Sequence, residues 1–179
     1  ATQGMEQSLH SDVQYSSRRI AFTGGISRRV FGDPVGGDTT GRQSPGGYKE
    51  LAFELKGKFA LAPNTFLTVA HQNVRQRHIP VFHKVQLEDY ALNEFDPQAR
   101  ALTYARLERQ LQRGIWESLS ITTSLQQTEE GRSSRKNGSP TLREERDRVR
   151  ALGFSAQAGN RFSSLWTANS GVDIYRDRV

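Results

Sequence analysis

The chain has 179 residues and no cysteine, which excludes a disulfide frame, a thiolate metal site and a cysteine nucleophile. Hydrophobic residues make up 35% of it. That is a lean apolar supply for a soluble chain, so a closed dry core is hard to fill, while no apolar run approaches the ~18 residues of a transmembrane helix. Lysine and arginine number 25 against 19 acids, and this formal +6 permits contact with anionic partners without selecting one.

In chain order, Ser8 to Ser17 predicts a first strand, and Ser17-Arg18-Arg19 a tight turn. From Ile20 to Val30 the residues Ile20, Phe22, Ile26 and Val30 alternate with Ala21, Thr23, Ser27 and Arg29, the period of two that marks a strand with two unlike faces. A link rich in glycine and proline follows over Gly32 to Tyr48. Glu50 to Leu61 alternates most cleanly. Leu51, Phe53, Leu55, Phe59 and Leu61 oppose Glu50, Glu54, Lys56 and Lys58, with Gly57 filling the gap on the apolar side. After a turn at Ala62-Pro63-Asn64, Thr65 to Val74 predicts a strand whose apolar face stays open, because Phe66 and Val74 compete with Leu67 and Val69.

Arg75 to Gln98 is expected to be a long loop. Ala99 to Leu111 then sets Ala99, Ala101, Ala105 and Leu107 against Arg100, Tyr104, Arg106 and Glu108. A turn at Gln112-Arg113-Gly114 leads to Ile115 to Gln127. There Leu119, Ile121, Thr123 and Leu125 face one way, and Trp116, Ser118, Ser120, Thr122, Ser124 and Gln126 the other. Thr128 to Asp147 is expected as a third long loop, with a turn at Asn137-Gly138. Arg148 to Gln157 and Phe162 to Ile174 predict the last strands, joined by a short Ala158-Gly159-Asn160-Arg161 connection.

Strands thus alternate with short turns and long links, about eight strands in all. Membrane barrels keep short turns on one side and long loops on the other, and cross with strands of about 9–11 residues, apolar toward lipid and polar toward a wet lumen. The predicted fold is an all-β, antiparallel up-and-down transmembrane β-barrel, present in part, with residues 1–179 belonging to one barrel domain. Phe59, Phe66, Trp116, Phe162 and Trp166 gather at the tight-turn ends, where interfacial rings are favoured. The beginning at Ala1, without a signal-like segment, and the end at Val179 rather than an aromatic lead us to expect a piece of a longer polypeptide.

Three stretches carry a resemblance. Thr68-Val69-Ala70-His71-Gln72-Asn73-Val74-Arg75-Gln76 ahead of Ile79-Pro80, Asp96 to Arg106, and Ser170 to Asp177 are each similar to barrel segments of TonB-dependent outer-membrane receptors. The resemblance covers nearly the whole chain as consecutive strands. It implies a barrel of about 22 strands with a plugged lumen. It also implies a bacterial outer-membrane location and energy coupling to the TonB complex through a plug domain that this sequence lacks. The implied task is uptake of a scarce, bulky nutrient such as a ferric siderophore, haem, cobalamin or an oligosaccharide.

Enzyme signals are poor: there is no Gly-x-Ser-x-Gly, His-Glu-x-x-His, Walker or Gly-x-Gly-x-x-Gly motif, and no catalytic residue, cofactor or dedicated metal is expected. His71, His78 and His83 fall together with Arg75, Arg77, Phe82, Lys84 and Tyr90. His78, Phe82, His83 and Tyr90 are the candidate ligand-binding residues of an outer loop, although their spacing alone specifies no metal geometry. Glu50, Glu54, Lys56, Lys58, Arg100, Arg106 and Glu108 are expected to face the lumen, with Glu54 and Lys56 as possible members of an ion-pair ladder. Thr128 to Arg150 has seven basic and five acidic residues and no aromatic, which fits a solvated outer loop better than a nucleic-acid surface; contact of some of its arginines with lipopolysaccharide phosphates is a separate expectation that rests on charge-assisted pairing alone. Two other readings are a complete small outer-membrane barrel serving as a structural protein or adhesin, and a soluble basic β-protein binding nucleic acid or sugar.

Overall fold

A computed structural model describes residues 6–37 and 41–179; residues 38–40 of the Gly32–Tyr48 link and the first five residues lie outside the description. The eight principal strands are β1 (Glu6–Ser16), β2 (Ile20–Phe31), β3 (Tyr48–Ala62), β4 (Thr65–Arg77), β6 (Tyr90–Arg113), β7 (Trp116–Lys136), β8 (Arg143–Arg161) and β9 (Thr167–Arg178). A two-residue β5 (Ile79–Pro80) and a single-turn α1 (Phe82–Gln86) fill the link between β4 and β6. The nine strands form one antiparallel sheet in the order β1-β2-β3-β4-β6-β7-β8-β9, with β5 on β6. This is the up-and-down connectivity expected. The sheet is open, with β1 and β9 as its edges.

Register explains the faces. Residues directly opposite in an antiparallel pair share a face. The row Ile20, Phe59, Leu67, Leu107, Ile121, Ala156 and Val172 runs across seven strands. Two residues along, Tyr15, Phe22, Gly57, Val69, Ala105, Thr123, Phe154 and Ile174 form the next row. One face is therefore an apolar band, which on β7 runs from Leu119 to Leu125, about 20 Å at the usual rise of ~3.3 Å per residue. The register settles β4, which its own sequence left open: Leu67 and Val69 join the band, while Phe66, opposite Ala60 and Glu108, lies on the polar face under the Lys58 ammonium, 4.8 Å from its ring centre.

Burial is inverted relative to a soluble domain. In the band Ile26 is 53% exposed, Leu55 49%, Leu152 51% and Ile174 58%, and Ala70 and Pro97 are the only buried apolar side chains among the described residues. Ala70 and the buried Thr68 lie on the polar face. Among the described residues no second layer covers the band.

Three sequence expectations need correction. The links Arg75–Gln98 and Thr128–Asp147 are mostly strand: β4 continues to Arg77, β6 starts at Tyr90, and β7 and β8 meet across residues 137–142. The turn between β8 and β9 is at 162–166, where the Ser163 hydroxyl accepts the Leu165 and Trp166 amides at 3.2 Å each, so Ala158–Arg161 belongs to the ladder and Phe162 does not open a strand. Trp116 is moved by a bulge before Ser118 into register with Asn160, on the side of Leu119 and Ala158, not on the polar face. The tight turns at 17–19, 63–64, 114–115 and 162–166 all stand at one end of the sheet, and Asn64 (φ 58°) and Gly114 (φ 66°) take the left-handed backbone that two of them require.

Candidate functional site

Three side-chain arrangements stand out, all built by register. The first is the polar face. Glu50, Glu54, Lys56, Lys58, Arg100, Arg106 and Glu108 all lie on it, opposite the apolar band in their ladders. Arg29, Glu50, Gln76, Gln98, Glu130 and Asp147 make a continuous row across six strands. It is stitched by Arg29–Glu50 at 3.7 Å, Gln76 Nε2 donating to Glu50 at 2.7 Å, and Gln98 Nε2 donating to Glu130 at 2.9 Å. Arg106 pairs with Glu108 at 3.0 Å and Arg100 donates to Gln126 at 3.2 Å. Among the described residues no ion pair joins Glu54 to Lys56. Each half-exposed pair contributes about 0–1 kcal/mol, so the row orders side chains more than it stabilises the sheet.

The second arrangement borders the band at the end away from the tight turns. Arg75, Arg148, Arg150 and Arg178 line a hollow of about 550 Å³ on the apolar side of the sheet. Register puts Arg150 and Arg178 in the row of Ile26 and Phe53, and Arg75 and Arg148 in the next row outward with Leu51. Glu129 offsets part of the charge, 2.9 Å from Arg146 and 3.3 Å from Arg148. In the sequence Arg75 falls both in the barrel-like Thr68–Gln76 stretch and among the loop residues, and nothing there singles out Arg178. Strand partners, not neighbours in sequence, gather this cluster.

The third lies among the connections at the same end. His78 sits between β4 and β5 with φ 53°, a left-handed backbone unusual for a non-glycine residue. Its Nδ1 is 3.5 Å from Glu94 Oε1 and 3.3 Å from Asp96 Oδ2. Glu94 and Asp96 are two residues apart on β6, and the pairing of β5 with Phe95 and Glu94 brings His78 alongside them. Asn93 and Phe95 point the other way, toward the Arg132 guanidinium. A bulge follows Phe95. The Asp96 carbonyl there lies so close to Gly131 of β7 that any Cβ at 131 would collide with it.

Of the predicted ligand residues, Phe82 and His83 sit on α1 and Tyr90 opens β6, and among the described residues no hydrogen bond or ring stacking joins them to His78. His71 does not belong to this group. It lies within β4 on the apolar side, its Nδ1 2.8 Å from the Thr103 hydroxyl and its ring 5.3 Å from Phe53. The end carrying these residues is tied together: Gln86 Nε2 donates to the Ser44 carbonyl at 2.7 Å, and Asn137 Nδ2 to Asp89 at 3.0 Å. The Lys84 ammonium, 2.6 Å from Glu88, holds that carboxyl below its ordinary range. Asp33 is held low as well, first by the Gly46 amide at 2.8 Å.

No protein-family model, curated protein or solved structure matches the chain.

Proposed function

We propose that the chain forms part of the wall of an outer-membrane β-barrel of the TonB-dependent receptor type, which admits a scarce, bulky nutrient. The observation that carries this reading is the inverted burial: register-aligned leucine, isoleucine, valine and phenylalanine side chains stand half exposed on one face. Charged and amide side chains link up on the other. Water disfavours such a band by about 25 cal/mol for each Å² of apolar surface left exposed, whereas hydrocarbon accepts it. A bilayer also requires every backbone group to be paired, so β1 and β9 must meet each other or further strands.

The length of the strands fits this reading. β6 has 24 residues. That is roughly 80 Å at ~3.3 Å per residue, well beyond the ~9–11 residues a crossing needs. The surplus carries the polar ends of β6, β7 and β8 out of the bilayer at the end opposite the tight turns. Trp116, Phe162 and Trp166 mark one boundary of the hydrocarbon, and the arginine hollow marks the other, within reach of the phosphates of anionic outer-leaflet lipid such as lipopolysaccharide. No bond is made or broken by the wall. The polar face lines the lumen and meets a plug domain through which the TonB complex acts, and the connections at the far end capture the nutrient.

The test is a bacterial strain deleted for the encoding gene and supplied with iron, haem, cobalamin or oligosaccharide as sole source. Loss of growth on one of them, restored by the intact gene only when TonB is functional, is the expected result. Undiminished growth on all of them, with the protein recovered in the soluble fraction, overturns the proposal.

A further inference from the structure

We infer that His78, Glu94 and Asp96 form a binding site for a divalent first-row metal cation, a property separate from the transport reading above. The chemistry starts from the three ligand atoms. A zinc-type ion takes imidazole nitrogen and carboxylate oxygen at about 2.0–2.2 Å, and a tetrahedron of such bonds sets its ligands about 3.3–3.5 Å apart. His78 Nδ1 stands 3.3 Å from Asp96 Oδ2 and 3.5 Å from Glu94 Oε1. All three atoms lie within 4.8 Å of one another, so a small rotation of one carboxylate completes the triangle.

The alternative is a bare imidazolium–carboxylate contact. Charge-assisted N–H···O bonds close to about 2.7–2.9 Å, and one nitrogen proton shared between two carboxylates gives each only a weak, three-centre bond. Both contacts here are longer than that, and they are nearly equal. Two carboxylates side by side also repel, and a dication between them offsets that repulsion more fully than a singly charged ring.

The surroundings hold the triad in place. Glu94 and Asp96 are partly buried, with side-chain exposures of 23% and 25%; Glu94 is paired with Ser133 of β7, and Asp96 stands in the bulge just beyond. The Asp96 carbonyl packs over Gly131 of the opposite strand, in space that a Cβ there would fill. The left-handed backbone at His78 turns its ring back over β6. The nearest arginine on β7, Arg132, is on the other face, engaged with Asn93 at 3.3 Å and Phe95. His78 itself is 60% exposed in its side chain, which leaves the remaining coordination positions open to water or to a donor from a bound molecule. One nitrogen with two oxygens suits zinc, iron(II), cobalt or nickel better than calcium, which prefers six or more oxygens.

The experiment is calorimetric titration of zinc(II), with calcium(II) in parallel, into the full chain in detergent micelles. One zinc per chain is expected, with calcium at least tenfold weaker. His78→Asn keeps a residue that tolerates the left-handed backbone and is expected to weaken zinc at least tenfold, as are Glu94→Gln and Asp96→Asn. His83→Ala, on the exposed α1, is expected to leave binding unchanged. Circular dichroism of each variant separates loss of the site from loss of the fold. Equal zinc affinity in wild type and a folded His78→Asn, or tighter calcium than zinc, overturns the assignment. Failure of the nutrient-uptake test leaves this result unaffected.

Discussion

Asp33 shows how a single side chain organises a connection. Its carboxylate accepts the Gly46 amide at 2.8 Å and the Gly47 amide at 3.2 Å, closing the base of the link between β2 and β3. A Cβ at Gly46 would stand 2.5 Å from Pro34 Cδ, so the carboxylate is the donors' natural partner in a space too tight for a larger residue. Because these amides lower the folded-state pKa, their contribution is complete above the ordinary aspartate range and is lost as pH falls through the lowered value. Hydrogen exchange of the Gly46 and Gly47 amides, corrected for intrinsic rate, is therefore expected to show protection at neutral pH that disappears in acid. Asp33→Asn is expected to remove that pH dependence. Unchanged protection down to strongly acidic pH would show that the loop closes without the carboxylate. At the same scale, the partners of His78 were not legible in the sequence. Glu94 and Asp96 follow it by 16 and 18 positions, and only the pairing of β5 with β6 brings them together. The signal that was present is the two-residue spacing of Glu94 and Asp96, which puts both carboxylates on one side of a regular strand.

At the scale of elements, the segments that alternate apolar and polar residues were legible, and their purely polar continuations were not. Glu50–Leu61 and Ile115–Gln127 were found because each has a greasy flank, and the structure contains them within β3 and β7. Beyond Gln127 both faces of β7 are polar, so the period of two vanishes from the composition while the hydrogen-bonded ladder continues to Lys136. The first third of β6 lacks contrast for a different reason: Leu92, opposite Arg135, and Phe95, opposite Arg132, put apolar residues on both faces. For β4, two apolar choices competed within one strand, and only alignment with Phe59 and Leu107 selects Leu67. Adjacent residues of β8 make the face distinction measurable. Phe154 lies in the band between Thr123 and Ile174, while Ser155 lies on the polar face opposite Asp173. If the band meets lipid, Phe154→Arg is expected to destabilise the folded protein by about 2–4 kcal/mol in lipid-vesicle unfolding titrations. Ser155→Arg gains an opposite charge across the strand pair and is expected to stay within roughly 1 kcal/mol of wild type. Equal costs at the two positions would contradict the assignment of faces.

For the molecule as a whole, the absence of cysteine makes single-cysteine labelling direct. The decisive measurement places one fluorophore at a time along β8 from Ala151 to Ala156 in the protein inserted in bilayers, and compares quenching by a lipid-borne quencher with quenching by iodide. The inverted sheet proposed here predicts strict alternation: Leu152→Cys, Phe154→Cys and Ala156→Cys are quenched from the lipid, and Ala151→Cys, Gly153→Cys and Ser155→Cys from water. Iodide reaching all six equally, with no quenching from the bilayer at any of them, would contradict a lipid-facing band.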